Sequence, residues 1–243
     1  MSPGARRVLI TTVAETGSTN ADLLALAAAG GADGVWLRAE RQSGGRGRLG
    51  RIWQSPPGNL HASTIIRLLG DDPPAPTLAL VAGVALHDAA AAWAGAGAVS
   101  LKWPNDLMAG NAKLAGILLE RAGDAVVAGF GMNVAHGPDG LDRAVISLAA
   151  LCGDAPAPDA AAVAERLADV LTGWLARWRS EGLAPIRAAW LDRAHAPGTP
   201  LRAMVEGNAV DGTFAGLSTD GALLLRVGTG ATVPIRAGDV FLL

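Results

Sequence analysis

Cysteine is almost absent from this chain: Cys152 stands alone among 243 residues. A single thiol excludes an intrachain disulfide framework and a cysteine-rich zinc site. It reads as a structural cysteine in a reducing compartment, the cytoplasm. Lysine is nearly as scarce. Of 20 basic residues only two are lysine, Lys102 and Lys113, and they fall close together. Chance is one account of that; the other is that both sites need a compact ammonium on a mobile stem, which guanidinium cannot imitate. A basic balance is missing too. The net charge is −2 and the pI is near 6.1, which argues against general nucleic-acid binding, so any arginine cluster must act locally. No long uninterrupted apolar run is present. Leu78 to Leu101 is broken by His87-Asp88 and reads as a buried helix plus a strand, not a membrane span. Only a short apolar stretch follows Arg6-Arg7 before Glu15, so no signal peptide is expected. No internal repeat is visible. What remains is a chain with half its residues apolar and 17% charged, enough for one large domain or a domain with a small appendage.

The richest stretch is residues 40 to 53, Glu-Arg-Gln-Ser-Gly-Gly-Arg-Gly-Arg-Leu-Gly-Arg-Ile-Trp. It carries Arg41, Arg46, Arg48 and Arg51 with Gly44, Gly45, Gly47 and Gly50, and no acid after Glu40. Crowded arginines repel one another, and glycine adds backbone freedom that must be lost on ordering. Such a loop makes sense when an anion pairs with the arginines and organises the backbone N–H groups. Gly45-x-Gly47-x-x-Gly50 imitates a dinucleotide fingerprint, but that motif needs a helix immediately after it. Here Gln54-Ser55-Pro56-Pro57-Gly58 follows. The catalytic-loop and Asp-Phe-Gly motifs of kinases and the phosphate-binding Lys-Ser/Thr loop are absent as well. A solvated arginine loop or a nucleic-acid patch is the plain alternative.

In order, Val8 to Val13 predicts a strand. Ser18-Thr19-Asn20 opens a helix to about Ala29, with Leu23, Leu24, Ala27 and Ala28 on its apolar face. Capping accounts for one of those three polar residues and leaves two for a ligand. Gly34 to Ala39 and Asn59 to Leu68 read as strands on either side of the loop, and Thr77 to Trp93 as a buried helix. Val99 to Trp103, Leu107-Met108, Lys113 to Glu120 and Ala125 to Val134 form a meander turned at Pro104-Asn105-Asp106, Gly110-Asn111 and Asp124. Arg143 to Leu151 reads as a short helix. Asp159 caps a long one carrying Val163, Leu167, Val170, Leu171, Trp174 and Trp178 at helical spacing; the tryptophans are taken as core. Gly182 and Pro185 break it, and Ile186 to Arg193 is helical again. From Gly198, five short alternating runs separated by Gly/Asp turns predict a small β-barrel, with a boundary near Ala196-Pro197.

Ser18-Thr19-Asn20, Gln42-x-x-Gly45-Arg-Gly-Arg-x-Gly50-Arg51-x-Trp53, Lys102-Trp-Pro-Asn-Asp106-Leu, Lys113-Leu-Ala-Gly116-Ile-Leu and Gly129-x-Gly131-x-Asn133 occur here in that order. Together they resemble the biotin protein ligases. The resemblance implies an α+β fold: a mixed, largely antiparallel sheet flanked by helices, similar to the class II synthetase core (1–196), and a small C-terminal SH3-like barrel (197–243). It implies an enzyme that uses biotin and ATP, with Mg²⁺ on the nucleotide and no dedicated metal cage. The product biotinyl-5′-AMP would give its biotin to a lysine of a biotin carboxyl carrier domain. No stretch before Val8 is long enough for a winged helix-turn-helix, so DNA binding is not expected; a homodimer through the central sheet is left open. The resemblance assigns Lys113, Arg46, Arg48 and Asp106 to catalysis, with Asp106 as base for the acceptor lysine. It assigns biotin to Ser18, Thr19, Asn20, Gln42, Gly45, Arg46, Gly47, Arg48, Lys113 and Gly116. It assigns the nucleotide to Arg48, Arg51, Trp53, Asn105, Lys113 and Asn133. The rivals are a lipoate or octanoate ligase on the same core, and a non-catalytic nucleotide or nucleic-acid binding module.

Overall fold

The computed structural model describes residues 8–243 apart from 139, 141, 142, 206 and 229. Arg6, Arg7 and the rest of the stretch before Val8 lie outside the described residues.

A sheet of seven strands organises the molecule, in the order β1 (Ile10–Thr16), β2 (Trp36–Gln42), β3 (Leu60–Arg67), β7 (Ala125–Met132), β6 (Ala112–Ala122), β5 (Asp106–Ala109), β4 (Ser100–Lys102). Only β1 and β2 run parallel; every other neighbour is antiparallel. The expected mixed, largely antiparallel sheet is therefore present. Its central strand β7 is nearly all apolar and buried along most of its length.

The two faces are covered differently. On one, α2 (Leu78–Ala94), α4 (Ala160–Glu181) and α5 (Leu183–Leu191) pack with Trp178 and Trp190 into the main core. The segment Ala75–Ala94 is apolar and long enough to cross a membrane by composition, but α2 within it is mostly buried core. On the other face a single helix, α1 (Thr19–Ala28), seats Leu23 and Ala27 on Ile65, Ala125 and Val127. It reaches across only half of that face. The other half, at the Ser63 end of β3 and the Gly129–Gly131 end of β7, carries small and polar residues and stays open.

Several local expectations need correction. Ala28 is exposed, because α1 buries only a narrow stripe. The short helix α3 begins at Leu148, not Arg143. The residues before it are extended instead, since Lys113 N–H donates to Ala144 O at 2.9 Å and Ile146 N–H to Lys113 O at 3.1 Å. Pro185 does not break a helix; it sits in the first turn of α5, where its missing N–H costs nothing. The break is Gly182, whose φ of +78° favours glycine.

All five C-terminal strands form: β8 (Pro200–Val205), β9 (Asn208–Leu217), β10 (Leu223–Arg226), β11 (Thr232–Ile235) and β12 (Asp239–Leu242), antiparallel in the order β11-β10-β9-β8-β12. This second sheet shares the main core, with Phe214 against Trp190 at 6.3 Å between ring centroids. Its last strand, β12, is thereby brought to the open half of the large sheet.

Candidate functional site

The open half-face is a cavity of about 350 Å³, within the range of small-molecule sites. Three glycines make its floor. Gly116 and Gly131 are direct partners across β6 and β7, and Gly129 faces Leu118. Each glycine carries another residue's side chain where its own would stand. A Cβ on Gly129 would meet Asn20 Oδ1 at 2.0 Å, one on Gly131 would meet the Trp53 indole at 2.5 Å, and one on Gly116 would meet Lys113 Nζ at 3.2 Å.

One end wall is polar and internally bonded. Ser18 caps α1, its Oγ accepting from Ala21 N–H. Gln42 Oε1 accepts from both Thr19 N–H (2.8 Å) and Thr19 Oγ1 (3.1 Å). Thr19 Oγ1 lies 2.7 Å from Ser63 Oγ, and Ser63 donates to Asn20 Oδ1 at 2.6 Å. Asn20 Nδ2 donates to Glu120 at 2.8 Å, and Glu120 lies 3.7 Å from Arg46. Donors and acceptors so fixed can read a small neutral polar group, because an unmet partner in a buried wall costs about 1–3 kcal/mol.

The opposite end is charged. Asp106, at the start of β5, takes Lys113 on Oδ1 and Lys102 on Oδ2, the latter at 2.8 Å. Burial works to raise the Asp106 pKa, but Lys113 and Lys102 outweigh it and hold the carboxyl below the usual range. Burial likewise pushes the Lys113 ammonium below its ordinary pKa, against the pull of Asp106. A carboxylate with its pKa held down in this way is a weaker base than a free one.

The arginine loop forms the lid. Arg46 pairs with Ile52 in a short bridge, Trp53 N–H donates to Gly45 O at 3.0 Å, and Arg48–Gly50 make a tight turn with Leu49 at φ +57°. Its charges are met from distant segments. Arg46 faces Glu120; Arg48 and Arg51 both face Asp239 of β12. Arg41 turns to Glu15 and does not line the cavity. Arg48 also reaches Asn105 Oδ1 at 3.4 Å, while Asn105 Nδ2 donates to Ile117 O.

Of the residues expected in the site, Ser18, Thr19, Asn20, Gln42, Arg46, Gly47, Arg48, Arg51, Trp53, Asn105, Asp106, Lys113 and Gly116 line this one cavity. Gly45 does not. It lies behind the lid, where a Cβ would meet Trp53 O at 2.4 Å. Asn133 is also outside, buried and bonded to Lys113 O and Ile146 O. It borders a small side cavity shared with Trp53, Lys113 and Arg143, so the Trp53 indole lines two spaces, and its Nε1 is buried without a partner among the described residues. Sequence reasoning missed Ser63, Glu120 and Asp239. The first two carry a weak signal, being polar at inward positions of apolar strands; Asp239 carries none. Among the described residues no group of three His, Cys, Asp or Glu could hold a metal ion.

The Biotin/lipoate A/B protein ligase family profile matches residues 33–135, and the Biotin protein ligase C terminal domain profile matches 201–243. A curated biotin–[acetyl-CoA-carboxylase] ligase from Paracoccus denitrificans is 38% identical over 94% of this chain and 98% of its own length. The chain belongs to the biotin protein ligase family. A second biotin–[acetyl-CoA-carboxylase] ligase, from Mycobacterium tuberculosis, is 40% identical over 94% of this chain and 86% of its own. Among solved structures, the biotin protein ligase of Aquifex aeolicus in complex with biotin and ATP superposes with a TM-score of 0.84 over 96% of this chain and 99% of that one; at 24% identity this speaks to the fold alone. The Leishmania major biotin protein ligase in complex with biotinyl-5-AMP superposes with a TM-score of 0.69 at 25% identity, over 94% of this chain and 98% of that one. In this member of the biotin protein ligase family, both profiles fall on segments that build the cavity: β2 to β7 give its floor and lid, and β12 its rim.

Proposed function

We propose that this protein activates biotin as biotinyl-5′-AMP with MgATP and transfers the biotinyl group to a lysine of a biotin carboxyl carrier domain. The observation that carries the reading is the polarity of one cavity: a hydrogen-bonding wall of neutral side chains at one end, Lys102 and Lys113 with Arg48 and Arg51 at the other, and a glycine floor between. Biotin has matching ends, a neutral ureido head and an anionic tail.

The head belongs at the wall of Ser18, Thr19, Asn20, Gln42 and Ser63. The tail carboxylate then lies toward Lys113 and the arginine loop. Nucleotide enters on the Trp53 side, with Asn105 near the base, Arg48 and Arg51 toward the phosphates, and Asn133 acting from behind by holding the main chain of Lys113. The tail carboxylate attacks the α-phosphate and pyrophosphate leaves; two anions must meet while charge grows on the phosphate oxygens. The work is therefore positioning and cationic stabilisation, which Lys113 and the arginines supply. In the second step the acceptor amine attacks the anhydride carbonyl and AMP leaves. The acceptor ammonium gives one proton to solvent before it attacks, and Asp106 stands where that lysine arrives. The lid excludes water from the anhydride.

The magnesium ion travels with the nucleotide, held mainly by its phosphates. The reading carries with it a division into a catalytic part (1–196) and a C-terminal part (197–243), a cytoplasmic location and no DNA partner. A lipoate ligase is not favoured, because the curated relatives are named for biotin.

Intact-mass measurement tests this directly. The protein, biotin, MgATP and a carrier domain are mixed and the carrier is weighed. A gain of one biotinyl group that requires ATP is expected. Pyrophosphate release without a gain would mean that adenylation stands and this carrier is not the acceptor. Neither signal would sink the reading.

A further inference from the structure

The chain's only two lysines reach the same carboxylate, and the reaction as described uses one of them. Lys102 ends β4 opposite Asp106, its register partner at the start of β5. Its Nζ lies 2.8 Å from Asp106 Oδ2 and donates to Val240 O at 2.9 Å, so it ties the carboxylate to the last strand. Both side chains are buried, at 12% and 11% exposure. Lys113 holds the other carboxylate oxygen.

Charge counting decides what Lys102 does. Lys113 and Asp106 alone would be a neutral buried pair with nothing to offer a phosphate. To meet an anion, Lys113 must leave Asp106. It would then abandon a buried carboxylate beside the incoming negative charge, which opposes both the departure and the anion. Lys102 removes that obstacle. With it the cluster carries one net positive charge, and the carboxylate keeps a partner after Lys113 has gone. No third cation touches Asp106 among the described residues: Arg48 reaches the neighbouring Asn105 and Asp239, and Arg51 faces Asp239. A compact ammonium suits the place, between a carboxylate, a backbone carbonyl and the Phe241 ring 6.0 Å away.

We propose that Lys102 is a positioning residue for adenylation: it keeps the Asp106 carboxylate paired and seated, and so frees Lys113 to serve the biotin carboxylate and the α-phosphate. The inference rests on the ligase reading above.

The test is the single-turnover rate of pyrophosphate release by the full chain with biotin and MgATP. Four proteins are compared: wild type, Lys102→Met, Asp106→Asn and the double variant. Lys102→Met is expected to slow the step about 10- to 100-fold, while biotin affinity, measured by titration, changes less than threefold. Adding Asp106→Asn should restore at least tenfold of that loss, because removing the carboxylate releases Lys113 by another route. A residue that merely props up the fold would give no such recovery. Lys102→Gln keeps a donor for Val240 O but no charge, and it should be as slow as Lys102→Met; it stands in if the methionine variant does not fold. A Lys102 variant within twofold of wild type overturns the proposal, and so does a double variant no faster than Lys102→Met. Silence from the wild type would instead sink the ligase reading.

Discussion

Asp239 stands 3.6 Å from Arg48, reaching from the final strand to a loop on the far side of the sequence. It takes Arg51 as well. The lid of the free protein is thus held by a carboxylate where the reaction would put phosphate. Partly exposed ion pairs are worth about 0.2–1 kcal/mol each, enough to bias the lid and too little to lock it. Asp239→Asn should let trypsin cut after Arg48 and Arg51 roughly two to five times faster in the absence of ligands. With biotin and MgATP the variant and wild type should be protected alike. Equal cleavage of the two free proteins would show that the contact does not restrain the loop.

Arginine should not be able to replace Lys113 even though the charge is kept. Its Nζ lies where a Cβ on Gly116 would approach to 3.2 Å, and 5.7 Å from the Trp53 ring centroid. A planar guanidinium is too wide for that seat and cannot move between Asp106 and an anion as an ammonium can. Lys113→Arg should lower pyrophosphate release about 100-fold, the scale of losing one transition-state donor. Its melting temperature should stay within a few degrees of wild type. Near-normal release would remove Lys113 from the central role.

Gly129 tests the polar wall separately. An added methyl group there would displace Asn20, whose side chain joins Ser63 to Glu120. Gly129→Ala should weaken biotin binding at least tenfold, about 1.4 kcal/mol or more. The apparent affinity for ATP, measured at saturating biotin, should change by less than threefold. Calorimetry on the two ligands gives the comparison, and equal losses for both would mean general damage, not a head-group site.

Most of the architecture was legible because each strand pattern agreed with its burial. Ala125 to Val134 read as a strand of the meander because it is apolar as far as Met132, and the Gly/Asp spacing after Gly198 marked the turns of the second sheet. One of the local misses, the start of α3, comes from competition for backbone partners, which lies outside any short sequence window. Residues 143–147 read as the start of a helix, yet they serve the main chain of Lys113, and Ser147 caps the helix that follows. The site divided in the same way. The lid and the lysines announced themselves by composition, but the acids that restrain the lid, Glu120 and Asp239, are far away in sequence. The glycine floor was half legible, since Gly129 and Gly131 are two apart on a strand and so share a face.

The helical layer has its own titration signature in Asp88. This α2 residue accepts from His87 Nδ1 at 3.1 Å, from Arg193 at 2.6 and 3.2 Å, and from Trp174 Nε1 at 3.0 Å. Burial works to raise its pKa, and these bonds together bring it down to about 2. A carboxylate whose folded pKa is depressed stabilises the fold above its unfolded pKa, near 3.8, and loses that contribution as the pH falls toward 2. The contribution at neutral pH is at most about 2 kcal/mol, and partial exposure reduces it. Asp88→Asn should therefore melt several degrees lower at pH 7 and converge with wild type between pH 4 and 2, where wild type has surrendered the same term. Thermal scans across that window decide the matter: a gap between the two proteins that stays constant from pH 7 down to 2 would mean that Asp88 acts through packing and not through its charge.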